Sequence, residues 1–122
     1  MALERPRLGI QDIFLAFGSN GSRVDVLQGF SLDVRPGEFV SVLGPSGCGK
    51  SSLLKVAAGL VQPTTGVVRV DGEVVQGHDA RVGMIFQEYA LFPWLNTVDN
   101  VEFGLKMRGV PRQERRSRAA RY

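Results

Sequence analysis

Gly44-Pro45-Ser46-Gly47-Cys48-Gly49-Lys50-Ser51 is the stretch on which the reading of this chain turns. It fits G-x-x-x-x-G-K-[ST] at every fixed position. The chemistry accounts for the spacing. Glycines let the backbone curl, so that successive N–H groups can point inward at phosphate oxygens. A helix starting at Ser51 would aim its N-terminal dipole at the same anion. Lys50 adds a point charge for the outer phosphates, and the Ser51 hydroxyl can ligate Mg²⁺. Cys48 fills a variable position and reads as a small filler. Ser46 and Ser52 read as loop and helix-cap residues rather than catalysts.

The flanks suit a phosphate loop. Phe39-Val40-Ser41-Val42-Leu43 is nearly all apolar, the pattern of a strand covered on both faces in a parallel α/β sheet. After the loop, Leu53, Leu54, Val56, Ala57 and Leu60 recur at helical spacing, and Gly59 and Pro63 mark the helix end. Further out, Leu8–Phe17 and Val26–Val34 read as strands around a turn at Gly18-Ser19-Asn20-Gly21-Ser22. In the second of these, Phe30, Leu32 and Val34 alternate with Ser31 and Asp33. Pro36-Gly37 suits a type II turn. Gly66–Val75 reads as a hairpin through Asp71-Gly72. Val82–Phe86 reads as another buried strand. Asn96 or Thr97 caps a helix with Val98, Val101 and Leu105 on one face, Asp99 in its first turn and Gly109 at its end. Pro111 opens one more helix.

The chain has 122 residues, one domain at most by length, with 43% hydrophobic and 22% charged residues and a net charge of +3. Much of the positive excess is Arg108, Arg112, Arg115, Arg116, Arg118 and Arg121, read as a solvated helix face. No nucleic-acid reader motif accompanies them, so no nucleic-acid partner is expected. A single cysteine excludes an intrachain disulfide. The first seven residues lack the apolar run of a secretory signal, and no stretch approaches the roughly 18 consecutive apolar residues of a membrane span.

The phosphate loop alone does not choose among kinases, GTPases, helicases and transport ATPases. Its neighbours do. The run Gly37–Leu54 closely resembles the Walker A region of ABC-transporter ATP-binding subunits, and so do Ala58-Gly59-Leu60, Pro63, Gly66 and Asp71-Gly72. Met84-Ile85-Phe86-Gln87 resembles the family's Q-loop. The resemblance implies an α/β P-loop NTPase fold of the ABC ATPase type: a truncated RecA-like core with an antiparallel β subdomain. It implies ATP and Mg²⁺ as cofactors. Gly44, Ser46, Gly47, Cys48, Gly49, Lys50, Ser51 and Ser52 would surround the nucleotide phosphates. Ser51 and Gln87 would serve the metal, and Lys50 and Gln87 would be the catalytic groups present. Phe17 is the candidate for stacking on adenine, with core packing as its rival reading.

Ala90–Val101, with Phe92-Pro93-Trp94 inside it, resembles importer subunits of the nitrate, sulfonate and taurine group. In that family the region around Ala90–Asn100 helps form the groove for a transmembrane permease. Here the aromatic residues would either line the groove or plug the domain's own core. His78 reads as a surface histidine. The resemblance implies a peripheral subunit on the cytoplasmic face of the membrane. It would pair head-to-tail with a second ATP-binding subunit and meet a solute-binding protein only indirectly.

No Leu-Ser-Gly-Gly-Gln signature, no apolar strand ending in Asp-Glu and no later switch histidine occurs. Residues 1–122 therefore read as the N-terminal half of an ATP-binding domain, expected to bind nucleotide without hydrolysing it alone and to be poorly soluble in isolation. The alternatives are a non-functional remnant, a partial record, or another P-loop NTPase such as a small kinase.

Overall fold

The computed structural model describes residues 5–18 and 21–122. Ser19 and Asn20, in the expected turn at Gly18–Ser22, lie outside the described residues. The chain forms two compact units, Met1–Met84 and Ile85–Tyr122.

The first unit holds β1 (Leu8–Phe17), β2 (Val24–Val34), α1 (Lys50–Ala57), β3 (Thr65–Val70) and β4 (Glu73–Val74). The strands form one antiparallel sheet in the order β2-β1-β3-β4. β1 is central, and its sequence breaks the period of two. Strict alternation inward from Ile10 would bury Asp12. Instead Asp12 takes φ 47° and the register shifts between Ile10 and Ile13. This bulge carries Ile13 inward to full burial and leaves Asp12 outside. The Asp12 N–H donates to Ser31 Oγ at 2.9 Å, and the Ser31 hydroxyl donates to the Asp12 carboxylate at 3.3 Å.

Gly66 exists to pass this bulge. Its φ is +93°, and a Cβ there would lie 2.3 Å from the Asp12 carbonyl oxygen. Ile10, Ile13, Leu15, Leu27, Val68, Val70 and Val75 then form a buried face on which α1 lays Leu53 and Val56. The Asp71-Gly72 hairpin forms as its chemistry dictates, with φ 52° and 85°, both positive as a type I′ turn requires. The turn at Pro36-Gly37 also forms. Gly37 has φ 74° and the Glu38 N–H donates to the Arg35 carbonyl at 3.1 Å.

Two expected strands are absent. Phe39–Leu43 and Val82–Phe86 carry no strand pairing among the described residues. Phe39 is 92% exposed and Leu43 91%. A strand covered on both faces needs hydrogen-bonding neighbours on each edge and helices above and below. The antiparallel sheet supplies neither to these segments. In α1 only Leu53 and Val56 are buried, while Leu54, and Leu60 beyond its end, are exposed.

Past β4, Arg81 gathers the chain. Its guanidinium holds Asp79 at 2.6 Å and Glu73 at 2.8 Å, and its own N–H donates to Asp79 Oδ1 at 2.9 Å. The side-chain hydrogen bond from Arg81, followed by its backbone N–H, draws the Asp79 carboxyl down from 3.8 to about 2.

The second unit holds α2 (Thr97–Met107) and α3 (Arg112–Ala119). Asn96 caps α2, accepting from the Asp99 N–H at 2.8 Å. Gly109 follows its end at φ 73°. The expected apolar face is not the buried one. Val98 and Val101 are exposed, and the buried residue of α2 is Glu102. Arg115 Nε lies 3.1 Å and Arg116 Nε 3.6 Å from its carboxylate, and Arg116 also holds Asp99 at 2.9 Å. These two arginines are thus drawn into a helix–helix ion cluster, not a solvated face. Burying Glu102 as an anion would cost several kcal/mol without such partners. Arg108, Arg112, Arg118 and Arg121 remain exposed.

Two outcomes follow from these contacts. Gly66→Ala should destabilise the first unit more than Gly37→Ala in chemical denaturation. Both place a Cβ at positive φ, a strain of about 1–2 kcal/mol, but only position 66 also meets a carbonyl, since nothing lies within 4 Å of a Cβ at Gly37. Equal losses would contradict the bulge account. The Asp79 carboxyl, followed by carbon-13 NMR, should titrate near 2 and return toward 3.8 in Arg81→Ala. A depressed carboxylate stabilises the fold fully above the unfolded value, so this contribution fades as pH falls from about 4 through about 2.

Candidate functional site

Gly44–Ser51 runs into α1 with Gly49 as its N-cap, at φ 97°. A Cβ at Gly49 would stand 2.9 Å from the Val26 carbonyl oxygen and 3.1 Å from Leu27 Cδ2. The loop therefore closes against β2 at a place where only glycine fits. Gly47 also has positive φ, 79°. The Cys48 N–H donates to the Pro45 carbonyl at 3.4 Å, tightening the curl.

The Lys50 ammonium spans the loop. Its Nζ donates to the carbonyls of Gly44 at 2.8 Å and Pro45 at 2.7 Å and lies 3.7 Å from Cys48 Sγ. The exposed Cys48 thiol rests over Gly44, where an added Cβ would meet Sγ at 2.7 Å. Cys48 is thus a space-filling member of the loop, as its variable position suggests.

The first hydrogen bond of α1 is Leu53 N–H to the Gly49 carbonyl, 2.8 Å. The N–H groups of Lys50, Ser51 and Ser52 have no partner inside the helix. No side chain caps this end and no acidic residue stands in its first turn. These N–H groups, with the dipole behind them, are open to an external anion. Ser52 lies inside α1, half-buried, and is not the cap. Ser51 is exposed beside Lys50, and Ser46 is exposed in the loop.

Phe17 ends β1, paired across the sheet with Val24, and is 50% exposed. It is therefore not a core residue. It lines an open cavity of about 360 Å³ together with Ala16, Gly18, Gly21, Ser22, Arg23 and Thr64. β2 joins this cavity to the phosphate loop: Val24 faces Phe17, and Val26 abuts Gly49. Two residues of strand span about 7 Å. Arg23, which follows the turn, lines the same cavity and was not singled out in the sequence.

Gln87 is exposed in irregular chain of the second unit. Within that unit Asn100 pins the segment that follows. Its amide accepts from the Phe92 N–H at 2.9 Å and donates to the carbonyls of Phe92, Leu95 and Asn96 at 3.2, 3.1 and 3.0 Å. The Phe92 and Trp94 rings stay in contact, centroids 5.5 Å apart, but differ in exposure. Phe92 turns inward onto Phe103, with ring centroids 4.4 Å apart. Trp94 stays 76% exposed. The plug reading thus fits Phe92, and Trp94 is left on the surface. Among the described residues no group of three or more His, Cys, Asp or Glu could hold a metal, and no helix is long and apolar enough to cross a membrane.

Comparison with known proteins agrees with this geometry. The sequence model described as "ABC transporter" matches residues 27–122. An ABC transporter ATP-binding protein of Methanocaldococcus jannaschii is 45% identical over 109 residues, covering 89% of this chain and 41% of that protein. The taurine import ATP-binding protein TauB of Pseudomonas aeruginosa is 46% identical over 113 residues, covering 93% and 43%. TauB of Chromobacterium violaceum is 52% identical over 101 residues, covering 83% and 39%. The chain thus spans less than half the length of these relatives. Among solved structures, the dimeric bacterial ABC transporter cassette MJ0796 superposes with a TM-score of 0.84 at 29% identity, covering 93% of this chain and 54% of that one. The same cassette in a post-hydrolysis state bound to ADP and Pi gives 0.81 at 30% identity, with the same coverage.

Proposed function

The chain belongs to the ABC transporter family, and on that premise we propose that it is part of an ATP-binding subunit of an importer, using Gly44–Ser51 to hold the nucleotide phosphates. The observation that carries this is the loop itself. It is a glycine curl ending in uncapped helix N–H groups, with the Lys50 ammonium across it.

The backbone of Gly44, Ser46, Gly47, Cys48, Gly49, Lys50, Ser51 and Ser52 would surround the β- and γ-phosphates. The Lys50 ammonium is already held by two loop carbonyls, so it needs only a small movement to add charge-assisted bonds to phosphate oxygens. The donor chemistry fits Mg²⁺. That ion takes few protein ligands beside phosphate oxygens and water, and the exposed Ser51 hydroxyl is such a ligand. Bound there, Mg²⁺ would neutralise charge on the phosphates. By resemblance to the family, Gln87 is proposed to serve the metal or orient water. Phe17 would receive the adenine, a reading supported by its half-exposed ring and by the short span of β2 between it and the loop.

Phosphoryl transfer rests on positioned charge and an oriented water. Lys50 would supply part of that charge, as the resemblance to the family implies. Paired head-to-tail with a second subunit, and seated on a permease through the region 90–100, the whole protein would drive solute import at the membrane's cytoplasmic face. A solute-binding protein would take part only indirectly. The identity to taurine import proteins favours a small sulfonate or nitrate-like solute.

Binding of MgATP should be measurable by calorimetry, and Lys50→Ala should weaken it about 10- to 100-fold, the scale of hydrogen bonds to a charged group. Affinity unchanged in Lys50→Ala would contradict the proposal.

A further inference from the structure

The cavity beside Phe17 holds a second group that the nucleotide reading has not used. Its floor is rigid: the Thr64 hydroxyl accepts from the Ala16 N–H at 3.1 Å, and the Thr64 N–H donates to the Phe14 carbonyl at 2.8 Å. Gly18, Gly21 and Ser22 also line it. Phe17 supplies an aromatic surface, and among the described residues lining the cavity Arg23 is the charged one. The Arg23 side chain is 69% exposed, yet its position is held. Its Nε donates to Asp25 Oδ1 at 2.7 Å. Asp25 in turn sits in register with Ala16, one step from the Phe17–Val24 pair.

We propose that Arg23 is a nucleobase-binding residue, its guanidinium plane set by Asp25 so that it stacks on the base that Phe17 receives. This rests on the phosphate-loop reading above. An arginine plane and an aromatic ring both attract the π-face of a base, and neither requires a particular base edge. The nearby Asp25 carboxylate offsets the arginine charge, so its contribution comes from the flat cation on the ring rather than from attraction to the triphosphate.

The test compares two ligands on the 122-residue chain by calorimetry, MgATP and magnesium tripolyphosphate, which has the phosphates without the base. Arg23→Ala should weaken MgATP about five- to tenfold and leave tripolyphosphate within about twofold. Its retained tripolyphosphate binding also shows that the variant is folded. Arg23→Lys keeps the charge but loses the plane, and should remain as weak as Arg23→Ala toward MgATP. Full affinity for MgATP in Arg23→Ala would overturn the proposal. So would equal weakening of both ligands, or restoration by lysine. Failure of the unsubstituted chain to bind tripolyphosphate would instead sink the phosphate-loop reading.

Discussion

Gly49 meets the Val26 carbonyl at a distance that leaves no room for a Cβ. That contact sets where α1 begins. It fixes the helix N-terminus against β2, so that Leu53 and Val56 fall on the sheet while the uncapped N–H groups face out. Any larger residue would push the helix off the sheet and separate the phosphate loop from its support. The antiparallel sheet is therefore the anchor of the loop as well as the core of the first unit. The bulge at Asp12 and the glycine at position 66 serve that anchor by turning Ile13 into the face on which α1 rests.

Much of this was legible in the sequence, because glycine and turn chemistry act locally. Asp71-Gly72, Gly37, Gly109, Gly47 and Gly49 each take the positive φ their places demand. What was not legible depends on partners distant in the chain. The Asp12 bulge is set by Ser31 and Gly66, neither of which marks the β1 sequence. Phe39–Leu43 has the composition of a buried strand, but composition does not supply neighbours, and those residues stand exposed. Of the candidate site, the glycine curl and the helix after it were legible, whereas the strand expected before the loop and the Ser52 cap did not form. Phe17 was legible only as one of two readings, and Arg23 was invisible until β1 and β2 brought it beside Phe17.

The second unit makes the same point with charge. Hydrophobic spacing on α2 pointed to Val98, Val101 and Leu105, yet the buried position is Glu102, matched by Arg115 and Arg116 from α3. An ion cluster of this kind fixes the pairing of α2 with α3, whose one apolar side chain is Ala119. Removing one partner alone would strand a buried charge. Asn100 acts similarly on the preceding loop, using every hydrogen-bonding atom of its amide to set Phe92 inward and Trp94 outward.

The central claim is that an anion binds the backbone of Gly44–Ser51 and not the arginine-rich surface of α3. Amide nitrogen-15 NMR during titration with magnesium tripolyphosphate tests this most directly. The account predicts saturable downfield shifts of the Gly47, Gly49, Lys50 and Ser51 amide protons as they bond to phosphate oxygens. Shifts confined to residues around Arg112, Arg118 and Arg121, with the loop amides unmoved, would contradict it.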